Sequence, residues 1–387
     1  IALAEKADPK LPELLLTRAK LALADKHKDQ ATQLLDEALK GDPKLVEALF
    51  LKAALLESEN KNAEADNIYQ KIIENNPTQF RAHLARAGIQ LKKGDIEAAD
   101  KSVQAAEKLA GKAPLVKYAR GTLELKRGKL EEANSAFLEV LRVAPDHIPS
   151  MLAYAMTNYG EANYEQSISY AGKVLGVAPG NIIATKILAS SQLKNGDIKG
   201  ALKTLNTHIS KYPYDAQLLA LIGDTHLRAG DHIKATSYLD KAAALEPRNA
   251  AIKARQAAGH LASGNNSAAL AALEAAVSIN DKPGQADLAL VMFHLKGNEF
   301  DKALQSIAHL EKKLPNNPIT HNLRAAALLG KQDRTGARKA MEQALAIDSK
   351  FLPAAINLAR MDIQDKNPDA ARKQVEAVLE KDKNNVN

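Results

Sequence analysis

The stretch "LKKGDIEAA" at residues 91–99 recurs along the chain with the same order of apolar, glycine and alanine positions. Related versions are "LKRGKLEEA" at 125–133, "LKNGDIKGA" at 193–201, "LRAGDHIKA" at 227–235, "LASGNNSAA" at 261–269 and "LKGNEFDKA" at 295–303. Their starting points differ by 34 residues or a multiple of 34. A glycine beside lysines can belong to a phosphate-binding loop. A stretch that returns at a fixed period is instead the mark of a repeat protein.

Proline gives the phase of the 34-residue period. It stands on one lattice at Pro9, Pro43, Pro77, Pro145, Pro179, Pro213, Pro247 and Pro315. The remaining lattice points are Gly111, Asp281, Ser349 and Lys383, and no insertion or deletion is needed between residues 9 and 383. Eleven tandem repeats therefore start near residues 9, 43, 77, 111, 145, 179, 213, 247, 281, 315 and 349. Repeat position 1 is counted as the third residue after each lattice point.

Two positions hold small side chains in nearly every repeat. Position 8 is Ala or Gly in ten of eleven repeats, and position 20 is Ala in ten of eleven. Position 15 is glycine in five repeats, as expected where a helix ends. The Asp or Asn that often follows can cap a second helix. Each repeat is therefore predicted to be a helix, a turn, a second helix and a proline-marked turn, with the helices in close contact at positions 8 and 20.

This pattern resembles the tetratricopeptide repeat family over essentially the whole chain, in the 34-residue length, the small residue at 8, Gly at 15, Ala at 20 and Pro at 32. The resemblance implies an all-α fold, a right-handed α-solenoid superhelix of about eleven helix-turn-helix repeats. The chain departs from the family at position 7, where the leucine is mostly lost. That position carries Arg18, Lys52, Arg86, Arg120 and Arg324.

The two ends of the sequence continue the pattern. Residues 1–8 look like the end of a preceding repeat helix, residues 9–383 hold the eleven repeats, and residues 384–387 form a tail. Solenoids normally end in polar capping helices. Neither end shows an obvious one, so we expect the chain to be part of a longer array.

A candidate binding surface follows from the helical period of the first helix. At 100° per residue, positions 2, 9 and 13 fall on one line, and in tetratricopeptide proteins this line faces the concave groove. Position 13 carries a basic ladder made of Lys92, Lys126, Lys194, Arg228 and Lys296. The ladder suits an acidic peptide or an anionic polymer. Cations at helix C-termini are also favoured by the helix dipole alone, so both interpretations stay open.

Three further residues complete the predicted groove contacts: Tyr118, Met156 and Tyr159. Four of the nine tyrosines lie in the repeat that starts at 145. Tyrosine suits a contact surface that is both apolar and wet, but these rings could equally fill space that small residues fill elsewhere. Position 12 is nearly always large and apolar. It either packs between repeats or forms an apolar wall of the groove.

No cofactor or metal site is expected. The chain has no cysteine, and His226, His260 and His294 share position 11 of successive repeats. Neighbouring repeats are about 8–10 Å apart, whereas zinc needs nitrogens within about 2.1 Å, so these histidines cannot share one ion. Together with the polar residues at position 11 of the four preceding repeats, they are interpreted as a ladder of hydrogen bonds between repeats.

The sequence predicts no catalytic residues. It contains no phosphate-binding loop, zinc-protease motif or nucleophile elbow, and the chain is not expected to be an enzyme. The net charge of +7 over 387 residues is too mild to indicate nucleic acid. No apolar run is long enough to span a membrane.

The predicted function is a non-catalytic scaffold that binds a protein or peptide partner. The helices also resemble bacterial exopolysaccharide-associated tetratricopeptide lipoproteins, including those found with PEP-CTERM sorting systems. That resemblance implies a periplasmic location, with a lipid anchor outside this sequence; the alternative location is cytoplasmic. Alternative functions are direct binding of an anionic polysaccharide along the basic ladder, and a regulatory array of a larger enzyme.

Overall fold

The computed structural model describes residues 10–280, 282 and 284–380, and these residues form twenty-two α-helices and no strand. The predicted helix end at 1–8 and the tail at 384–387 lie outside the described residues. The first helices of the eleven repeats are α1 (Pro12–Ala24), α3 (Val46–Ser58), α5 (Phe80–Lys93), α7 (Pro114–Lys126), α9 (Ile148–Gly160), α11 (Ile182–Lys194), α13 (Ala216–Arg228), α15 (Ala250–Ala262), α17 (Gln285–Lys296), α19 (Pro318–Gly330) and α21 (Leu352–Gln364). The second helices are α2 (Lys28–Gly41), α4 (Asn62–Asn75), α6 (Ile96–Ala110), α8 (Leu130–Val143), α10 (Tyr164–Val177), α12 (Ile198–Ile209), α14 (His232–Leu245), α16 (Asn266–Ile279), α18 (Phe300–Lys313), α20 (Arg334–Ile347) and α22 (Pro368–Leu379).

The turn at position 15 is left-handed in every repeat. The five glycines there have φ between 77° and 87°. The other six repeats hold a residue with a side chain and the same sign of φ: Lys26, Asn60, Ala162, Asn298, Gln332 and Lys366. Asp95 then caps α6 by accepting a hydrogen bond from the backbone N–H of Ala98. The predicted break between the two helices is confirmed, and it does not depend on glycine.

The small residues at positions 8 and 20 are buried between the two helices of each repeat. Ala19 and Ala31 are fully buried in the first repeat, and every other member of the two series is also buried. At Gly121 an added Cβ would lie 2.6 Å from a ring carbon of Phe137. At Gly223 it would lie 2.5 Å from Cγ of Leu239. The predicted close packing of the helix pair is therefore confirmed.

The chain divides into two compact units, an N-terminal unit (Ile1–Asp197) with α1–α11 and a C-terminal unit (Ile198–Asn387) with α12–α22. Within each unit, the second helix of a repeat packs against the first helix of the next repeat. First helices also contact one another, along α5–α7–α9–α11 in the N-terminal unit and α13–α15–α17–α19 in the C-terminal unit. Among the described helices, no two second helices make a comparable contact. The first helices thus form the inner layer of each unit.

The cations at position 7 connect each repeat to the one before it. Nε of Arg86 donates to Asp66 on α4 at 2.8 Å. Arg120 donates to both Asp100 and Glu107 on α6, at 2.7 and 2.6 Å. The hydrogen bond to Glu107 is the main reason that the pKa of Arg120 lies above its usual value. The departure from the family's leucine therefore replaces an apolar contact between repeats with a charged one.

Candidate protein-binding groove

The inner layer of first helices exposes the line of residues that was predicted to face the groove. Positions 2 and 13 are exposed in all eleven repeats, and position 9 is exposed or half-buried. Position 8 faces the second helix of the same repeat, and position 7 faces the second helix of the repeat before. The remaining face of the inner layer carries positions 2, 9 and 13. This is the geometry that a groove requires.

An apolar pocket opens on this face in the N-terminal unit, with a volume of about 470 Å³. Its main apolar lining residues are Phe50, Leu84, Leu91, Leu115 and Tyr118, all from the first helices α3, α5 and α7. We call this feature the apolar pocket. The Tyr118 ring packs against two other rings, with its centroid 5.7 Å from that of Phe137 and 5.5 Å from that of His147.

The five residues of the basic ladder are all exposed at the C-terminal ends of first helices. Lys92, Lys126 and Lys194 belong to the N-terminal unit, and Arg228 and Lys296 to the C-terminal unit. Nζ of Lys92 lies 3.0 Å from a carboxylate oxygen of Glu57. Within the described part of the chain, none of the other four has a carboxylate within ion-pair distance. The repeat between Lys126 and Lys194 holds Gly160 at this position.

Met156 and Tyr159 lie on the same helix but differ in exposure. The Met156 side chain is 48% exposed at position 9. Tyr159 is half-buried, with its ring centroid 5.8 Å from that of Tyr164. Tyr154 and Tyr170 form a second ring pair, which is edge-to-face with a centroid distance of 4.6 Å. The tyrosines of this repeat therefore pack largely against one another, which favours the space-filling interpretation, whereas Met156 is available for contact.

The N-terminal groove carries no carboxylate at the positions that face it, a feature that was not predicted from the sequence. We use this name for the exposed surface of α5, α7, α9 and α11. Positions 2, 5, 6, 9, 12 and 13 of these four helices contain no Asp or Glu. They contain five cations: Arg81, Lys92, Lys126, Lys186 and Lys194. Sorting the residues by repeat position would have revealed this, because the signal is spread over four repeats and no local window contains it.

The C-terminal unit has a different recess on the same face, of about 520 Å³. Its floor is lined by alanines of α15, including Ala254 and Ala258. At its edge, Asp224 lies 3.5 Å from Nε of Arg255. Burial raises the pKa of Asp224, and the charges of Arg255 and Arg228 oppose that shift. This recess is lined by small residues and by charged residues of both signs, whereas the apolar pocket is lined mainly by large apolar side chains.

Five of the seven ladder residues at position 11 are buried and Gln90 and Gln192 are half-buried, and their hydrogen bonds only partly follow the prediction. His260 Nε2 lies 3.1 Å from Asp240 of the preceding repeat, as expected. His294 Nδ1 instead contacts Glu299 at 2.7 Å, within its own repeat. His226 likewise faces Asp231 of its own repeat, and Gln90 accepts a hydrogen bond from Ser102 of its own repeat. The prediction of bonds between repeats was therefore wrong for these three residues, because position 11 also faces the turn and the second helix of its own repeat. The described residues contain no group of three or more potential metal ligands.

A membrane-spanning helix is not found: none of the helices within residues 10–280, 282 and 284–380 is both long and apolar enough to cross a membrane.

Solved structures with a similar fold include two that cover most of this chain. Yeast Tom70 is 14% identical, with 95% of this chain and 91% of that chain covered and a TM-score of 0.51. The human IFIT1 dimer with m7Gppp-AAAA is 16% identical, with coverages of 87% and 90% and a TM-score of 0.50. These likenesses show the fold alone.

Family models give the more specific result. No curated protein sequence matches this chain significantly. The model described as protein kinase G tetratricopeptide repeat matches residues 18–256, which is well over half of the chain. A second tetratricopeptide repeat model matches residues 260–327 and 328–387. With the 34-residue period, the left-handed turns and the buried positions 8 and 20, the chain belongs to the tetratricopeptide repeat family.

Proposed function

We propose that this chain is a non-catalytic scaffold that holds a protein or peptide partner against the N-terminal groove. Membership of the tetratricopeptide repeat family supports a protein-interaction scaffold. The observation that carries the proposal is the apolar pocket between α3, α5 and α7, with exposed apolar side chains on the first helices around it. Leu115 is 44% exposed, Met156 48% and Ile183 51%. Second helices of the N-terminal unit also expose apolar side chains, at Leu109, Val143 and Val177, so the pocket is what marks the first-helix face as an interaction site.

The spacing of these first helices fits a polypeptide. Neighbouring first helices pack about 8–10 Å apart. An extended chain advances about 3.3 Å per residue and turns alternate side chains toward the groove, so a residue two or four positions further along a bound segment would meet the next apolar side chain. A bound helix would meet it about every two turns, since one turn rises about 5.4 Å. Either form leaves its backbone free to lie along the groove.

Site-specific photocrosslinking in the native cell tests the proposal. A photoreactive amino acid is placed at residues 115, 156 or 183. The matched controls are residues 109, 143 and 177 on second helices of the same unit, where Leu109, Val143 and Val177 are 42%, 68% and 58% exposed. We expect discrete protein adducts from the groove positions only. Equal adducts from both sets, or none from the groove, would overturn the proposal.

Direct binding of an anionic polysaccharide is a second candidate, favoured by the exposure of Lys126 and Lys194 without a carboxylate partner among the described residues. Reversing Lys92, Lys126 and Lys194 together to Glu should then abolish retention on an anionic glycan matrix. Unchanged, salt-insensitive retention would exclude it. A periplasmic role in exopolysaccharide assembly is a separate proposal that comes from the sequence resemblance alone, and cell fractionation with an antibody tests the location.

A further inference from the structure

We infer that the partner of the N-terminal groove is an acidic amphipathic segment, with apolar side chains seated in the apolar pocket and carboxylates over the flanking cations. This inference rests on the proposed function and specifies its ligand. The apolar and the acidic character of the expected segment are inferred from different observations. The pocket selects for apolar side chains, and the charge pattern selects for the sign of the residues between them.

The apolar pocket is open because small residues form its floor. Ala85 and Ala119 occupy position 6 of α5 and α7, and Gly88 occupies position 9 of α5. A Cβ added to Gly88 would meet no atom within 4 Å. The walls are large apolar side chains, of which Leu115 is almost half exposed. A volume of about 470 Å³ falls within the range of small-molecule sites, so the pocket has room for more than one apolar side chain of a partner.

Three of the five groove cations, Arg81, Lys126 and Lys194, make no ion pair within the described residues. Arg81 lines the pocket and is exposed at position 2. Lys126 is exposed one helix further along, at the end of α7, and Lys194 at the end of α11. Within the described residues, none of the three has a carboxylate at ion-pair distance. The helices α5, α7, α9 and α11 present no Asp or Glu at the groove positions. The two carboxylates at these positions of α3, Glu47 and Glu57, are already paired with Lys20 and Lys92, so a basic segment would find no unpaired carboxylate there.

The combination favours a peptide over an anionic glycan. A hydrated glycan would use the cations but would leave the walls formed by Leu84, Leu91 and Leu115 in water. An acidic segment with spaced apolar residues uses both features at once. The apolar anchors would supply most of the affinity, and the charges would add specificity and a faster association rate.

Selection from a displayed library of random 15-residue peptides tests the inference on the full chain. Enriched peptides should be net negative and carry two or more apolar residues three or four positions apart. Their affinity should fall at least tenfold in Leu115→Asp and in the double variant Arg81→Glu/Lys126→Glu. The matched controls Val143→Asp and Lys108→Glu, on exposed positions of second helices, should bind unchanged. Circular dichroism of each variant verifies that the helices are retained.

The outcomes separate the two proposals. Enriched peptides that are neutral or basic, yet lose binding in Leu115→Asp, would overturn the inference and leave the scaffold function standing. Acidic peptides without apolar residues, or heparin used as a glycan probe, that bind Leu115→Asp and wild type equally would point to an anionic-polymer site and overturn the inference. Enrichment that no groove variant reduces would overturn both proposals.

Discussion

Gly121 and Phe137 lie against each other between α7 and α8, and we predict that Gly121→Ala destabilises this repeat. The added Cβ would approach three carbons of the Phe137 ring at 2.6, 2.8 and 2.9 Å. Unstrained Cβ atoms do not come this close to another carbon. The Phe137 side chain is fully buried, so the ring cannot swing into solvent to relieve the overlap. The helices must separate locally or the ring must leave its preferred rotamer.

The magnitude follows from two opposing contributions. Alanine is favoured over glycine inside a helix by about 1 kcal/mol. Overpacking a core costs about 1–3 kcal/mol, so the net change is a destabilisation of about 0–2 kcal/mol. Gly172 in α10 supplies the control, because a Cβ there would meet no atom within 4 Å. Gly172→Ala should therefore stabilise by up to about 1 kcal/mol, and the difference between the two variants isolates the cost of overpacking.

Urea unfolding and amide hydrogen exchange together measure this difference. Repeat arrays do not always unfold in one step, so exchange rates in α7 and α8 give the local response. The double variant Gly121→Ala/Phe137→Leu recreates the pair that Ala19 and Leu35 form in the first repeat, and should recover stability. Stabilisation by Gly121→Ala equal to that by Gly172→Ala would refute the packing argument.

Three other variants test separate features. Ala162 has φ of 60°, a conformation that costs an L-residue about 1–2 kcal/mol, so Ala162→Gly should raise the thermal unfolding midpoint; a fall would contradict the left-handed turn. Lys313 and Asp287 form a buried ion pair at 2.9 Å. Lys313→Met should therefore cost about 3–5 kcal/mol in urea unfolding, and adding Asp287→Asn should recover part of this loss, because it removes the unpaired charge and keeps an acceptor for the backbone N–H of Gly284. Burial lowers the pKa of His226, so the unfolded chain binds the proton more tightly. The stability linked to this residue is present above pH of about 6.5 and is lost as pH falls below it. Wild type should lose more stability than His226→Gln between pH 7.5 and 5.5, and parallel pH profiles would contradict this.

The parts of the fold that could be predicted are those set by the same contact in every repeat. Positions 8 and 20 are small because two helix backbones approach there, and the repetition of that steric demand makes it visible in one sequence. The turn at position 15 shows where this reasoning stops. Its glycines indicate a left-handed residue, but Lys26 or Gln332 at the same position gives no such signal. There the left-handed conformation is imposed by the packing of the two helices that it joins, and a local pattern does not contain that constraint.

The contacts of position 7 escaped prediction because their sequence separation varies. Arg86 reaches Asp66 twenty residues earlier, and Arg120 reaches Glu107 thirteen residues earlier. Gln256 reaches Asp240 sixteen residues earlier. The three acceptors occupy positions 21, 28 and 25 of a second helix, and residues spaced by four and three lie on one helical face. A long side chain at position 7 can therefore take whichever acceptor that face offers.

The cations at position 7 and those at position 13 have different roles in the fold. The cations that join repeats lie at position 7 and are partly covered by the second helix that they contact. Position 13 lies close to the start of the preceding second helix, as the hydrogen bond from Arg334 to Gln364 shows, but apart from Lys92 the ladder residues have no carboxylate within ion-pair distance among the described residues. The fold therefore does not require Lys126 or Lys194. Replacing them with glutamate should leave the unfolding midpoint nearly unchanged, since exposed charges contribute little to stability. A large loss of stability in that variant would show that the ladder is structural and would remove the charge argument for an acidic partner.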